Sequence, residues 1–263
     1  MKKTLLKLVQ NVLSDLDSDE VNSIDDTVES QQVADIVRQV YEDMISNRNW
    51  SHLSRLVQFN PSTTTDKPSH LKVPENIKEV EFIKYDVRCK EDDDFRYETV
   101  HYMYPDEFLN HINSRRSSDD TVDIINNGDG TKLMIKNDQP PQYWTSFDDQ
   151  YVVFDSYNKN IESTIQNTKM QSKAFITPTW THRDDFVPDL PVEAFSKLQN
   201  EAKSVAFLVL KQMVNEKAEM NSQKQSRWLA RKNWTTEGGV RYPDYGRRSG
   251  RGRKDPTFQR DSH

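Results

Sequence analysis

The longest run of helical spacing in the chain lies near its C-terminal end. Between Leu190 and Trp234, apolar side chains fall at Phe195, Leu198, Ala202, Val205, Ala206, Val209, Leu210 and Met213. The steps are mostly three and four, the repeat of one buried helical face. The stretch holds no Gly and no Pro after Pro191, and Pro fits a first helical turn because its missing N–H would be unpaired there anyway. The pattern predicts one very long C-terminal helix, 187–234. A helix of about 40 residues spans roughly 60 Å, more than a small domain is thick, so one end is expected to leave its own core. Beyond Met213 the stripe thins to Val214, Ala218 and Met220 and then turns basic and aromatic.

Two more helices are expected at the other end. Leu5, Leu8, Val9, Val12 and Leu16 give an amphipathic first helix. Asp26 and Glu29 approximate a capping box ahead of a second, whose stripe is Val33, Ile36, Val37, Val40, Tyr41, Met44 and Ile45. Trp50 closes that helical core. Past Pro61 the period shortens. Val80, Phe82, Tyr85 and Val87 suggest a strand, Tyr97, Val100 and Tyr102 another, and Pro105-Asp106-Glu107 opens a short helix. VDII (122–125), the turn NNGDG and TKLMI (131–135) have hairpin chemistry. Aromatic runs around Tyr143-Trp144 and Tyr151 to Phe154 flank Asp148-Asp149 and suggest a further pair of strands.

The expected fold class is α+β, a helical bundle from N- and C-terminal helices with a β-rich middle layer and an extended basic arm. The segments are 1–58, the N-terminal helices; 59–186, a β-rich insertion with one short helix; 187–234, the long helix completing the bundle; and 235–263, a basic flexible docking arm. The last segment is rich in Gly and charge and cannot bury enough apolar surface to fold alone.

Composition sharpens this. Only 34% of residues are hydrophobic while 10% are aromatic, and mean hydropathy is −0.92. The aromatic content argues against global disorder, so the balance points to an elongated subunit whose surface is partly covered by neighbours. From Lys224 onward eleven Lys/Arg stand against four acids, a net of +7, leaving −13 for the rest of a chain whose formal charge is −6. A basic arm on an acidic body predicts an acidic partner, nucleic acid or protein. Cys89 is the only cysteine, which excludes intramolecular disulfides and Cys-based structural zinc. No apolar run approaches the 18 or so residues a membrane span needs. The N-terminus reads as an amphipathic helix and not as a signal peptide, so a soluble protein made in the cytoplasm is expected.

No catalytic, cofactor or metal signature is present. The six His (52, 70, 101, 111, 182, 263) are scattered, and no P-loop, GxGxxG, GxSxG or HExxH occurs. The acids 91–94 read as a solvated loop, Asp148-Asp149 as a turn, and Cys89 as a core thiol. The strongest binding candidate is the basic and aromatic set Arg227, Trp228, Arg231, Lys232, Trp234, Arg241, Tyr242, Tyr245, Arg247 and Arg248. Its cations could neutralise phosphates and its rings could stack on bases, or the same groups could dock on a protein. Both remain open on the residues alone.

Two stretches resemble a known family. LDSDEVNSIDDTVESQQVADIVRQVYEDMISNRNW (16–50), with its acidic loop, long helix and Arg48-Asn49-Trp50, is similar to the N-terminal region of podophage head-to-tail adaptors, the tail tubular protein A-like connectors. FVPDLPVEAFSKLQNEAKSVAFLVLKQMVNEKAEMNSQKQSRWLARKNW (186–234), followed by GGVRYPDYGR (238–247), resembles their C-terminal helix. The resemblance implies a structural virion protein of the tail or neck, in a homo-oligomeric ring of twelve. Its partners would be the portal protein and the tail nozzle protein, with genomic DNA passing through and touching it only transiently. It implies no enzyme activity, no cofactor and no membrane. The basic set would then dock on the portal, and a chain ending near Asn221 would fold without docking. The alternatives are a nucleic-acid-binding protein using the arm, and a tail-associated envelope hydrolase using Asp148, Asp149 or the acids at 91–94.

Overall fold

A computed structural model describes residues 2–60, 66–88, 94–127 and 130–235, with no side chain of 232–235. The chain is α+β and has two hydrophobic cores, one among helices and one under a sheet. In the helical layer, α1 (Leu5–Asp15) starts at Thr4, whose hydroxyl accepts from the Lys7 N–H. It buries Leu5, Leu8, Val9, Val12 and Leu13. The next helix, α2 (Val28–Ser46), buries every residue of its expected stripe. Its cap differs from the expectation. Thr27 and Ser30 form the reciprocal box, while Asp26 accepts from the Asn22 and Ser23 amides in the preceding loop. Asp26 is thus used one residue too early to cap the helix.

After a 3-10 turn comes β1 (Ser54–Val57), followed by β2 (His70–Lys72), β3 (Ile77–Asp86), β4 (Tyr97–Tyr102), α3 (Pro105–Asn113), β5 (Val122–Asn126), β6 (Lys132–Lys136), β7 (Tyr143–Thr145), β8 (Tyr151–Phe154) and β9 (Met170–Ile176). Seven strands form one mixed sheet in the order β1-β9-β3-β4-β7-β8-β2, and β5 and β6 form a separate hairpin. Among the strand pairs of the described residues, β4–β7 is the parallel one, and an isolated bridge between Lys136 and Ser156 is parallel as well. The two layers are tied at the C-terminal end of α2. There the Lys78 ammonium donates to the carbonyls of Ile45 and Ser46, both at 2.9 Å, and of Arg48 at 3.2 Å. A cation on the last unpaired carbonyls of a helix offsets its dipole. Trp50 is buried in the helical core and donates its indole N–H to the Met44 carbonyl at 3.0 Å.

The expected very long C-terminal helix is absent, and with it the architecture built around it. Residues 187–234 form two helices, α4 (Ala194–Lys211) and α5 (Glu216–Thr235), of 18 and 20 residues. Gln212 breaks the run by adopting the left-handed conformation, φ 53° and ψ 30°. Its N–H and that of Met213 both turn back to the Phe207 carbonyl, a helix-ending arrangement usually built on Gly. Asn215 then starts α5, its side-chain oxygen accepting from the Ala218 N–H at 3.0 Å. The physical reason is burial. A straight helix would leave its second half without a core, whereas the reversal lays Ala218, Ser222 and Leu229 against the rest of the layer. A chain ending near Asn221 would therefore lose a core residue, Leu229.

Candidate docking surface

Leu229 sets the orientation of the basic end of α5. Its side chain is buried in the helical core. Arg227 and Arg231 lie two residues to either side, about 200° around the helix, and both are exposed. Arg231 Nε also reaches back to the Arg227 carbonyl at 3.4 Å. Trp228 sits between the buried and outer faces, 44% exposed. It lines a surface depression with Val192, Glu193, Ser196, Asn221 and Lys224. Of the ten residues singled out from the sequence, the structure thus brings Arg227, Trp228 and Arg231 to one exposed end of a helix. Lys232 and Trp234 lie on α5 with side chains outside the described set, and Arg241, Tyr242, Tyr245, Arg247 and Arg248 fall outside the described residues.

Sequence reasoning missed the opposite end of the same hairpin. Leu208, Val209, Met213 and Val214 stand 57–65% exposed around the reversal at Gln212. Val209 and Met213 belong to the stripe read as core. The available signal was the acidic first turn of α5, Glu216 and Glu219, after Asn215, which is the pattern of a helix start.

The other candidates fall into structural roles. Asp148 and Asp149 occupy the β7–β8 turn. Asp148 Oδ1 accepts from the amides of Gln150 and Tyr151 at 2.9 and 3.0 Å, and Asp149 has φ 57°. Asp184 accepts from the Ile24 N–H at 2.8 Å, so it fastens the loop ahead of α2. Cys89 and the acids 91–93 lie outside the described residues. Among the described residues, no group of three His, Cys, Asp or Glu is placed to hold a metal ion. Within the same set, no helix is long and apolar enough to cross a membrane.

The densest polar cluster went unnoticed in the sequence because its members are far apart in it. Asp155, fully buried, accepts from the amides of Gln142 and Tyr143 at 3.0 and 2.9 Å and from Arg115 Nη2 at 3.0 Å. Arg115 also donates to the carbonyls of Met134 and Asp155, and its Nη2 lies 3.1 Å from His111 Nε2. Both terminal nitrogens of the guanidinium are engaged by protein groups, so the cluster staples the C-terminal end of α3 to the sheet. His70 is a second buried polar centre. Its ring lies 3.2 Å from Ser69 Oγ and 3.0 Å from Asn127 Oδ1. Burial lowers its pKa, against the partial opposition of the Asn127 hydrogen bond.

No family model matches the chain, and no curated protein matches it either.

Proposed function

We propose that the chain is a structural connector, a subunit of a ring placed between a phage portal and its tail nozzle. The observation that carries the reading is the α4–α5 hairpin. It holds four large apolar side chains out to solvent at one end and the exposed Arg227, Trp228 and Arg231 at the other. Contiguous exposed apolar surface on a water-soluble chain marks an interaction site. The similarity of residues 16–50, 186–234 and 238–247 to head-to-tail adaptors supplies the class of assembly. The acidic remainder of the chain suits a conduit wall, because a surface that repels phosphates lets DNA slide through. Portal docking is assigned to Arg227, Trp228 and Arg231, continued by the basic residues up to Arg248.

Electron microscopy of the purified protein mixed with portal rings tests this: a ring of added density on the portal is expected. Failure to associate with portal under any salt condition sinks the reading. The clustering of the exposed Arg227, Trp228 and Arg231 in the C-terminal part of α5 keeps a second reading, direct binding of nucleic acid. That reading requires an affinity that falls steeply with salt and drops when residues 235–263 are deleted.

A further inference from the structure

The β5–β6 hairpin forms its own two-stranded sheet and is tied to the rest of the sheet layer at two separate places. At its base and middle, Asp123 accepts from Asn137 Nδ2 at 3.0 Å and from the Tyr157 hydroxyl, and Arg115 donates to the Met134 carbonyl at 3.0 Å. At its far end, Asn127 donates its N–H to the Thr131 carbonyl at 3.0 Å. That far end is held from β2 and the residues just before it. His70 Nε2 lies 3.0 Å from Asn127 Oδ1, and Lys67 Nζ donates to the Asn127 carbonyl at 2.8 Å.

These bonds fix the form of the imidazole. An amide oxygen can only accept, so Nε2 carries the proton. Nδ1, 3.2 Å from the Ser69 hydroxyl, is left as an acceptor. The ring is therefore neutral, and it is 1% exposed. A proton added at Nδ1 would set two cations, the imidazolium and the Lys67 ammonium, on the one residue Asn127. Lys67 also lies over the Tyr151 ring, 5.7 Å from its centroid. The carboxylate that acts on His70 is Asp148, in the β7–β8 turn, and its Oδ1 already accepts from the Gln150 and Tyr151 amides.

We propose that His70 is an acid-sensitive latch: once protonated it lets go of Asn127 and frees the far end of the hairpin, while Asp123 and Arg115 keep the base attached. The latch does not depend on the connector reading. Release gives the imidazolium the water it lacks in the closed state and lets Lys67 swing away from it. It also uncovers Ile125 and Leu133, a cross-strand pair that is 4% and 0% exposed when the hairpin is closed. The direction follows from burial. Desolvation, helped by Lys67 and opposed by Asn127 and Asp148, holds the closed imidazole below the ordinary 6.5. A released ring titrates near 6.5, so the closed form is fully favoured above that pH and weakens below it, at most about tenfold per pH unit.

Amide hydrogen exchange of the full chain, read by NMR at pH 7.5 and pH 5.5, tests the latch. The Asn127 amide reports the far end. The Asn137 amide, which donates to the Thr121 carbonyl at 2.8 Å, reports the base. After correction for intrinsic exchange rates, protection at Asn127 is expected to fall at least twofold on acidification, and at most about tenfold, the limit for one proton. Asn137 and the amides of α2 are expected to hold. In His70→Gln, which keeps a donor but takes up no proton in this range, the fall at Asn127 is expected to vanish. A smaller fall at Asn127, an equal fall at Asn137, or the same fall in His70→Gln overturns the proposal. His70→Asn replaces the Gln variant should that one not fold, and the Asn127–Asn137 comparison within the unaltered chain needs neither.

Discussion

The helical layer and the sheet layer solve the same burial problem with different chemistry. Among the described residues, Ser30 and Ser222 are the buried polar side chains of the helical layer. The sheet layer buries Ser69, His70, Asp86, Asn137, Thr145, Asp155, Ser156 and Ser172. The contrast follows from backbone accounting. A helix consumes its own N–H and C=O groups except at its ends, so α1, α2 and α4 can meet through apolar side chains. Strands of three to ten residues joined by loops leave backbone groups at every connection, and buried backbone must be paired. Asp155 takes the amides of Gln142 and Tyr143 at the start of β7, Asn137 donates to the Asp120 carbonyl at 3.2 Å and to the Asp123 carboxylate at 3.0 Å, and Ser156 donates to the Pro140 carbonyl at 2.9 Å. The sheet layer is held by specific polar geometry and the helical layer by shape.

The comparison predicts where each layer breaks. Arg115→Ala leaves the Asp155 carboxylate buried without its cation, and urea denaturation should show a loss of about 3–5 kcal/mol. A loss below about 1 kcal/mol would mean that Asp155 is held by its two amides alone. Leu198→Ala in the helical layer should cost about 2–5 kcal/mol by cavity formation, with no change in the shape of the stability–pH curve. His70→Gln tests the acid sensitivity of the sheet layer and should cost about 1–2 kcal/mol near neutral pH through its hydrogen bonds. The folded pKa of His70 lies below the ordinary 6.5, so below pH 6.5 the unfolded chain takes up the proton first. Stability should therefore fall as pH drops from that point. The variant's curve should be flatter across that acid limb; an identical slope would place the sensitivity elsewhere. The smallest effect expected is a gain. Gln212→Gly relieves a side chain held at positive φ and should stabilise by about 0.5–1 kcal/mol, read as a higher melting temperature.

The same division explains what could be read in advance. The stripes of α1 and α2 were legible residue by residue, because helical periodicity is a local property and every stripe position met the core. The β5–β6 hairpin was legible from its turn residues. The His70–Lys72 strand was not, since three residues among prolines and polar side chains carry no period, and pairing with Tyr151 to Val153 is what makes them a strand. At the candidate surface, Arg227, Trp228 and Arg231 could be picked out by composition. The apolar tip could not, because Val209 and Met213 continue a stripe that reads as core until the chain turns.

Local sequence thus determined the helical faces of the N-terminal half, the β5–β6 hairpin, the acidic body and the basic end. Tertiary structure decided what local patterning leaves open: the reversal at Gln212, the parallel β4–β7 pairing, and the meeting of His111, Arg115 and Asp155. The physical reason is that periodicity specifies which face of an element is apolar, not what stands opposite it. A stretch without Gly or Pro from Phe195 to Leu229 is compatible with one rod or two packed helices. Folding back wins because it buries Ala218, Ser222 and Leu229, and that gain exceeds the cost of one residue at positive φ, about 1–2 kcal/mol.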